Sequence, residues 1–249
     1  MTNETLEQLW QSAPAATDRF DPAMVASLPP AARRYFLHAL APGAKLSSCA
    51  RLRMHGDLKL GGEWRSFEAE QVLRWDRGFV WRAKARVMGL PVVGADRFVD
   101  GEGEMRFRLL GIVPVATGEG PDVTRAAAGR FHAEAMWLPA VLLGSDVRWQ
   151  ERDATHPHAS IRAHGETSEV DLTLDEAGAV RAVSLPRWWN PPAGKADHYE
   201  PFGGTCGDDR TFDGVTIPTT YSLGWFWGQE RFASEGEFFR CTIDSIEHK

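Results

Sequence analysis

Glu134 is the side chain in this sequence best suited to acid–base chemistry. It lies in PDVTRAAAGRFHAEAMWLPAVLL, where Val123, Ala127, Phe131, Glu134 and Leu138 recur at helical spacing and share one face. A carboxylate therefore stands on the stripe expected to meet the core. Burying it in ionised form costs several kcal/mol, on the order of that for any unpaired ion, unless it is paired or protonated. Arg130, one turn back, is the nearest partner on the helix. Two readings follow: a salt-bridged glutamate that fixes the helix to a sheet, or a desolvated general acid/base in a pocket. His132 points to another face, which argues against a Glu/His dyad within the helix.

Arginine supplies the complementary chemistry. Arg82, Arg86, Arg97, Arg106 and Arg108 fall in neighbouring strand-like segments, with Arg106 and Arg108 opposite Met105, Phe107 and Leu109. They read either as a solvated outer face or as an anion clamp, because a planar guanidinium binds carboxylate or phosphate through two parallel bonds. Asp96-Arg97 is ambiguous, since alternation sends one of the two inward. Arg187-Trp188-Trp189 and Tyr199-Glu200-Pro201-Phe202 flank an irregular-looking stretch, residues 189–208, and form either a pocket mouth or packing for a long loop. Ligand-binding expectations thus fall on Arg97, Arg108, Trp137, Arg187, Trp188 and Tyr199.

Other chemistries find little support. Thr155-His156-Pro157-His158 reads as a solvated turn, and neither it nor His164 and His198 stands at a diagnostic metal-ligand spacing. There is no GxSxG elbow and no P-loop, and Gly101-Glu102-Gly103 lacks both a third glycine and a following helix. No metal and no cofactor are expected.

The elements that must position these residues are mostly strands. From Leu46 the hydrophobic period becomes two: Ala50, Leu52, Met54, Leu58 and Leu60 share one face. Gly61-Gly62 marks a hairpin, after which Phe67, Ala69, Leu73 and Trp75 turn inward. Phe79, Trp81, Ala83, Ala85 and Val87 follow beyond Asp76-Arg77-Gly78, completing an antiparallel meander. Another hairpin is expected about Asp100-Gly101, and further strands are VRWQERD, HASIRAHG, SEVDLTLD and AVRAVSLPRWW. The aromatic segments near the C-terminus close the set. Gly120-Pro121-Asp122 starts the inserted helix, which is expected to run over residues 121–138 until Pro139. Residues 1–45 read as a helical cap, broken at Ala13-Pro14, Asp21-Pro22 and Leu28-Pro29-Pro30.

The sum is a mainly β (α+β) chain of about ten antiparallel strands by pattern counting, with the cap over 1–45 and the sheet over 46–249. A strongly curved sheet or partly closed barrel fits this pattern better than a parallel fold. The 249 residues bury a sizeable single core, and ten tryptophans and thirteen phenylalanines supply more aromatic surface than a minimal core needs. A net charge of −6 argues against general nucleic-acid binding. Three cysteines without CxxC spacing indicate a reducing compartment rather than a disulfide framework. The first twenty residues lack the charge and apolar run of a signal peptide, and no integral membrane segment is present, so a cytoplasmic location is expected.

The stretch GADRFVDGEGEMRFRLLGIVPVATGEGPD, followed by EAMWLPAVLL, resembles a bacterial family catalogued as a domain of unknown function. The resemblance spans most of the chain and weighs on Arg97, Gly101, Gly103, Leu110, Gly111, Pro114, Glu134, Trp137 and Pro139. It implies a β-rich fold similar to the half-barrel of lipoprotein carriers, with no assigned activity. Some relatives are expected to begin with a membrane-anchoring segment, from which this sequence departs. From the aromatic count, the curved-sheet pattern and the absence of a catalytic signature, function is read as binding of an apolar or amphipathic small molecule in a cavity of the curved sheet. The alternative is a cofactor-independent isomerase, lyase or hydrolase, with Glu134 as general acid/base and Arg97 or Arg108 stabilising an anion.

Overall fold

A computed structural model describes residues 5–189 and 198–249. Helix α1 (Leu6–Gln11) opens on a capping box, Thr5 and Gln8 each bonding the other's backbone. A 3₁₀ turn follows at Pro22–Val25, then α2 (Pro30–Ala39). Six strands come next: β1 (Cys49–Leu60), β2 (Glu63–Arg74), β3 (Gly78–Val87), β4 (Leu90–Val99), β5 (Glu102–Leu109) and β6 (Val113–Glu119). Helix α3 (Pro121–Glu134) leads through 3₁₀ turns to β7 (Val147–Asp153), β8 (His156–Ala163), β9 (Glu166–Leu174), β10 (Val180–Trp189) and β11 (His198–Gly207). A small ribbon, β12 (Arg210–Phe212) and β13 (Val215–Ile217), precedes β14 (Thr220–Trp225) and β15 (Glu237–His248).

Thirteen of these strands form one antiparallel sheet, in the order β6-β5-β4-β3-β2-β1-β15-β14-β11-β10-β9-β8-β7. It curls into a half-barrel. The first six strands and the later ones are therefore two meanders, joined along a single seam where β1 pairs with β15. Helix α3 connects β6 to β7, the two edge strands, and packs on β4, β5, β9 and β10. It lies in the trough of the half-barrel and holds the two arms together.

Alternation along the strands builds the core as the sequence predicts. Leu52, Met54, Phe67, Leu73, Phe79, Trp81 and Phe98 face the trough and are buried with Phe131 of α3. Helix α2 enters the same core, setting Tyr35 at a tilt and Phe36 edge-on against Trp149 of β7. Helix α1 takes the opposite face instead, where Leu6 and Leu9 cover Cys49, Val72, Val80 and Val99. Among the described residues no helix is long and apolar enough to cross a membrane.

Four expectations need correction. The strand count exceeds the pattern-based one, largely because β6 and the ribbon are short or polar. The inserted helix is α-helical only through Glu134, then tightens into a 3₁₀ turn over Ala135–Trp137 before Pro139. His156, Pro157 and His158 open β8 rather than forming a turn; His158 is buried, bonded to Glu169 and Asp171. Finally, much of residues 189–208 is the regular strand β11, paired with β10 and β14. Its glycines mark close packing: a Cβ on Gly204 would fall 1.8 Å from the Ser222 carbonyl oxygen. Residues 190–197 lie outside the described residues.

Candidate functional site

The polar centre of the trough is built around Arg130. Strand register places Gln71, Trp81, Asp96 and Met105 in one row across β2, β3, β4 and β5. Helix α3 can settle onto this row because Gly103 carries no side chain: a Cβ there would sit 2.6 Å from the Thr124 Cα. The Gly103 N–H instead donates to Thr124 Oγ1 at 2.9 Å. The two glycines about Glu102 thus serve a tight turn and a close helix–strand contact.

From this position Arg130 donates to three groups. Its Nε meets Glu134 Oε1 at 2.6 Å, Nη1 meets Asp96 Oδ2 at 2.6 Å, and Nη2 meets Gln71 Oε1 at 3.1 Å. The Gln71 amide closes the ring by donating to Glu134 Oε2 at 2.6 Å. The guanidinium also lies over Phe79 and Trp81, at 4.6 and 5.2 Å from the ring centroids. Burial opposes its charge, but the two carboxylates more than offset that and raise its pKa. Asp96 resolves the Asp96-Arg97 ambiguity by turning inward.

Arg187 is the second guanidinium of the trough, on β10. Its Nε donates to the Ala126 carbonyl at 3.0 Å, and its plane lies over Phe202 at 4.6 Å and Trp225 at 5.2 Å. It forms no ion pair among the described residues: Glu200, opposite it on β11, is held by His198, Arg231 and Gln229 instead. Burial, then the charge of Arg130, pushes its pKa down to about 10, although Asp96 and Glu134 act the other way. Its charge is thus less well compensated than that of Arg130, whose pKa is raised.

Aromatic rings surround this pair. Phe67 contacts Trp81 and Phe239, and Trp81 contacts Phe107. On the other arm Phe202 meets Trp225 and Phe238, and Trp189 meets Trp225. Trp81 Nε1 is buried without a hydrogen-bond partner. By contrast, two open hollows of about 570 and 470 Å³ lie on the convex face. The larger brings charged Arg53, Glu68, Glu70, Arg82 and Lys84 together with apolar Met54, Ala69, Ala83 and Val93.

The residues singled out from sequence are distributed as follows. Glu134 and Arg187 come to the same trough. Arg97 and Arg108 alternate with inward-facing Asp96, Phe98 and Phe107, so they stand on the convex face, apart from Glu134. Trp137 is a core residue whose Nε1 donates to Tyr221 Oη at 2.8 Å. Trp188 donates to Asp122 at 3.0 Å, carries Arg125 over its ring and packs against the exposed Tyr199. Gln71 was not singled out, yet it shares the inward parity of Ala69 and Leu73, and a lone amide on an apolar face is the signal that marks it.

A family model described as a family of unknown function (DUF6920) matches residues 26–248. No curated protein matches the sequence. Among solved structures, a LolA superfamily protein from Nitrosomonas europaea is similar at 8% identity, over 88% of this chain and 92% of that one, with a TM-score of 0.48. A DUF1329 family protein from Desulfovibrio piger is similar at 10% identity, over 82% and 86% of the two chains, with a TM-score of 0.44.

Proposed function

Since the chain belongs to this family of unknown function, matched over residues 26–248, we propose a role from the site itself: binding of an amphipathic small molecule with an anionic head group. The observation that carries this reading is Arg187, a half-buried guanidinium without an ion pair among the described residues, seated on Phe202 and Trp225. The head group, a carboxylate or phosphate, meets Arg187. The apolar portion lies along the partly buried rings of Trp225, Phe239 and Phe107, beside the buried Phe67. The orphan donor of Trp81 is a further point of contact for a ligand oxygen.

In this reading Glu134 is a brace. Both of its oxygens are engaged, by Arg130 and Gln71. That neutralises Arg130 and leaves Arg187 as the cation available to a ligand.

Native mass spectrometry of the purified protein, followed by denaturation and identification of any released molecule, tests the proposal directly. The expected result is an anionic amphiphile. Fluorescence titration with a dansyl-labelled fatty acid then compares wild type with Arg187→Met. Loss of a charge-assisted bond predicts at least about ten-fold weaker binding in the variant. Equal binding by the two proteins, or no binding by wild type, would show that Arg187 is not the anion receptor.

A further inference from the structure

The hairpin turns of the first meander differ by end of the sheet. At one end Arg74 pairs with Asp76, and Arg77 pairs with Asp100 across adjacent turns. At the other end the turns are apolar. Met88 is 86% exposed at the β3–β4 turn, while Leu110 is 52% and Ile112 76% exposed at the β5–β6 turn. Leu90, Val113 and Val115 flank them and are exposed too. The two turns are neighbours, since Val92 pairs with Leu109 and the Leu110 N–H donates to the Pro91 carbonyl at 2.8 Å. Six of the ten exposed large hydrophobic side chains among the described residues therefore gather on two adjacent hairpins.

The backbone sharpens the contrast. Asp100-Gly101 and Met88-Gly89 are both two-residue turns with positive φ at each position, 53° and 81° in one, 51° and 80° in the other. Such turns favour Asn, Asp or Gly at the first position, and Asp100 conforms. Met88 does not, and Leu110 holds a left-handed φ of 55° as well. Folding alone gives no reason for long apolar side chains in strained, solvated turns. Contact with something apolar does.

Charge identifies the partner. Arg86 and Arg108 stand on the strands just below the turns, exposed and without an ion pair among the described residues. Lys84 faces Glu68 across β2 and β3. The nearby acids Glu63 and Glu104 are already held by Arg65 and Arg106. On a chain of net charge −6, this corner is apolar at its tips and cationic behind them. We infer that it docks on an anionic phospholipid bilayer, the turn side chains entering the head-group layer and the arginines meeting lipid phosphates. The surface lies at the same end of the sheet as Arg187, but the inference does not depend on the small-molecule reading.

Co-sedimentation of the whole protein with vesicles provides the test. Wild type is expected to bind vesicles of equal parts phosphatidylglycerol and phosphatidylcholine, and to bind phosphatidylcholine alone far more weakly. Arg86→Gln with Arg108→Gln should weaken anionic binding about 30-fold. Met88→Asn with Leu110→Asn and Ile112→Ser should weaken it about 100-fold or more. Asparagine suits a left-handed position, so the tip variant is expected to fold, with an unchanged circular dichroism spectrum as the control. Failure of wild type to sediment with anionic vesicles, or undiminished binding by the tip variant, would overturn the inference. So would a wild-type dimer in sedimentation velocity that the tip variant dissolves without any vesicle binding, since the corner would then be an interface between copies.

Discussion

Gln71 Nε2 donates a 2.6 Å hydrogen bond to Glu134 Oε2, although the two residues are 63 positions apart in the chain. With its oxygen accepting from Arg130 Nη2, the Gln71 side chain is a neutral link in an ionic ring. The ring ties β2 and β4 to α3, and the Arg130 guanidinium at its centre answers to three elements at once.

Glu134→Gln is expected to lower unfolding stability by about 2 kcal/mol. Removing one partner of a buried pair is costly, but Arg130 keeps Asp96 and part of the loss is spared. Urea denaturation gives the value. A midpoint indistinguishable from wild type would show that the ring carries no structural load and would return Glu134 to consideration as an acid/base.

Stability should fall as the pH drops from about 6.5 toward 4. Burial pushes the His132 imidazole down to about 4, and His132 Nδ1 lies 2.8 Å from Ser168 Oγ. Burial also lowers the pKa of His248. In this window the unfolded chain binds a proton that folded His132 refuses. The full contribution is therefore present above the unfolded value and is lost as pH approaches the folded one. For His132 the effect is on the order of 3 kcal/mol. Thermal melts across this range should show a steeper decline for wild type than for His132→Gln.

All three thiols should be silent in the native protein. Cys49, Cys206 and Cys241 are buried and free, and burial pushes Cys49 and Cys206 up to about 12 and raises Cys241 as well. A disulfide-exchange reagent at about pH 8 is expected to titrate none until denaturant is added, and then all of them. Rapid labelling of the folded chain would contradict the packing at the β1–β15 seam or at β11.

Met88→Asn and Leu110→Asn should each stabilise the fold by about 1 kcal/mol, because asparagine tolerates the left-handed backbone that Met88 and Leu110 occupy. In a domain of this size that is a rise of about 2–4 °C in Tm. A fall would mean that the exposed side chains support the turns from within the chain.

The arms of the sheet were legible where a strict period of two met clear turn residues, as in Leu52, Met54, Phe67 and Phe79. Strand β11 was not, since HYEPFGGTCG has the glycine and proline content of a loop. Gly203 and Gly204 are required by neighbouring backbone, which single-chain propensity does not register. The Arg130–Glu134 pair could be read from helical spacing. Its partners Gln71 and Asp96 needed strand register, and register is set by tertiary pairing. Arg97 and Arg108 illustrate the same limit: residue type indicated anion binding, while parity placed them on the convex face.

The seam has a bearing on biosynthesis. Twelve-residue β1 can pair with β2 as soon as both leave the ribosome, but its other edge waits for β15, the last of this sheet's strands in chain order. Until then the nascent first meander presents a long unpaired border, the kind of edge that recruits foreign strands. Arg51, Arg53, His55 and Asp57 along that border, and Gly56 within it, make it charged and irregular. The same residues that later form the convex surface at the seam thus keep the half-made sheet from joining with another.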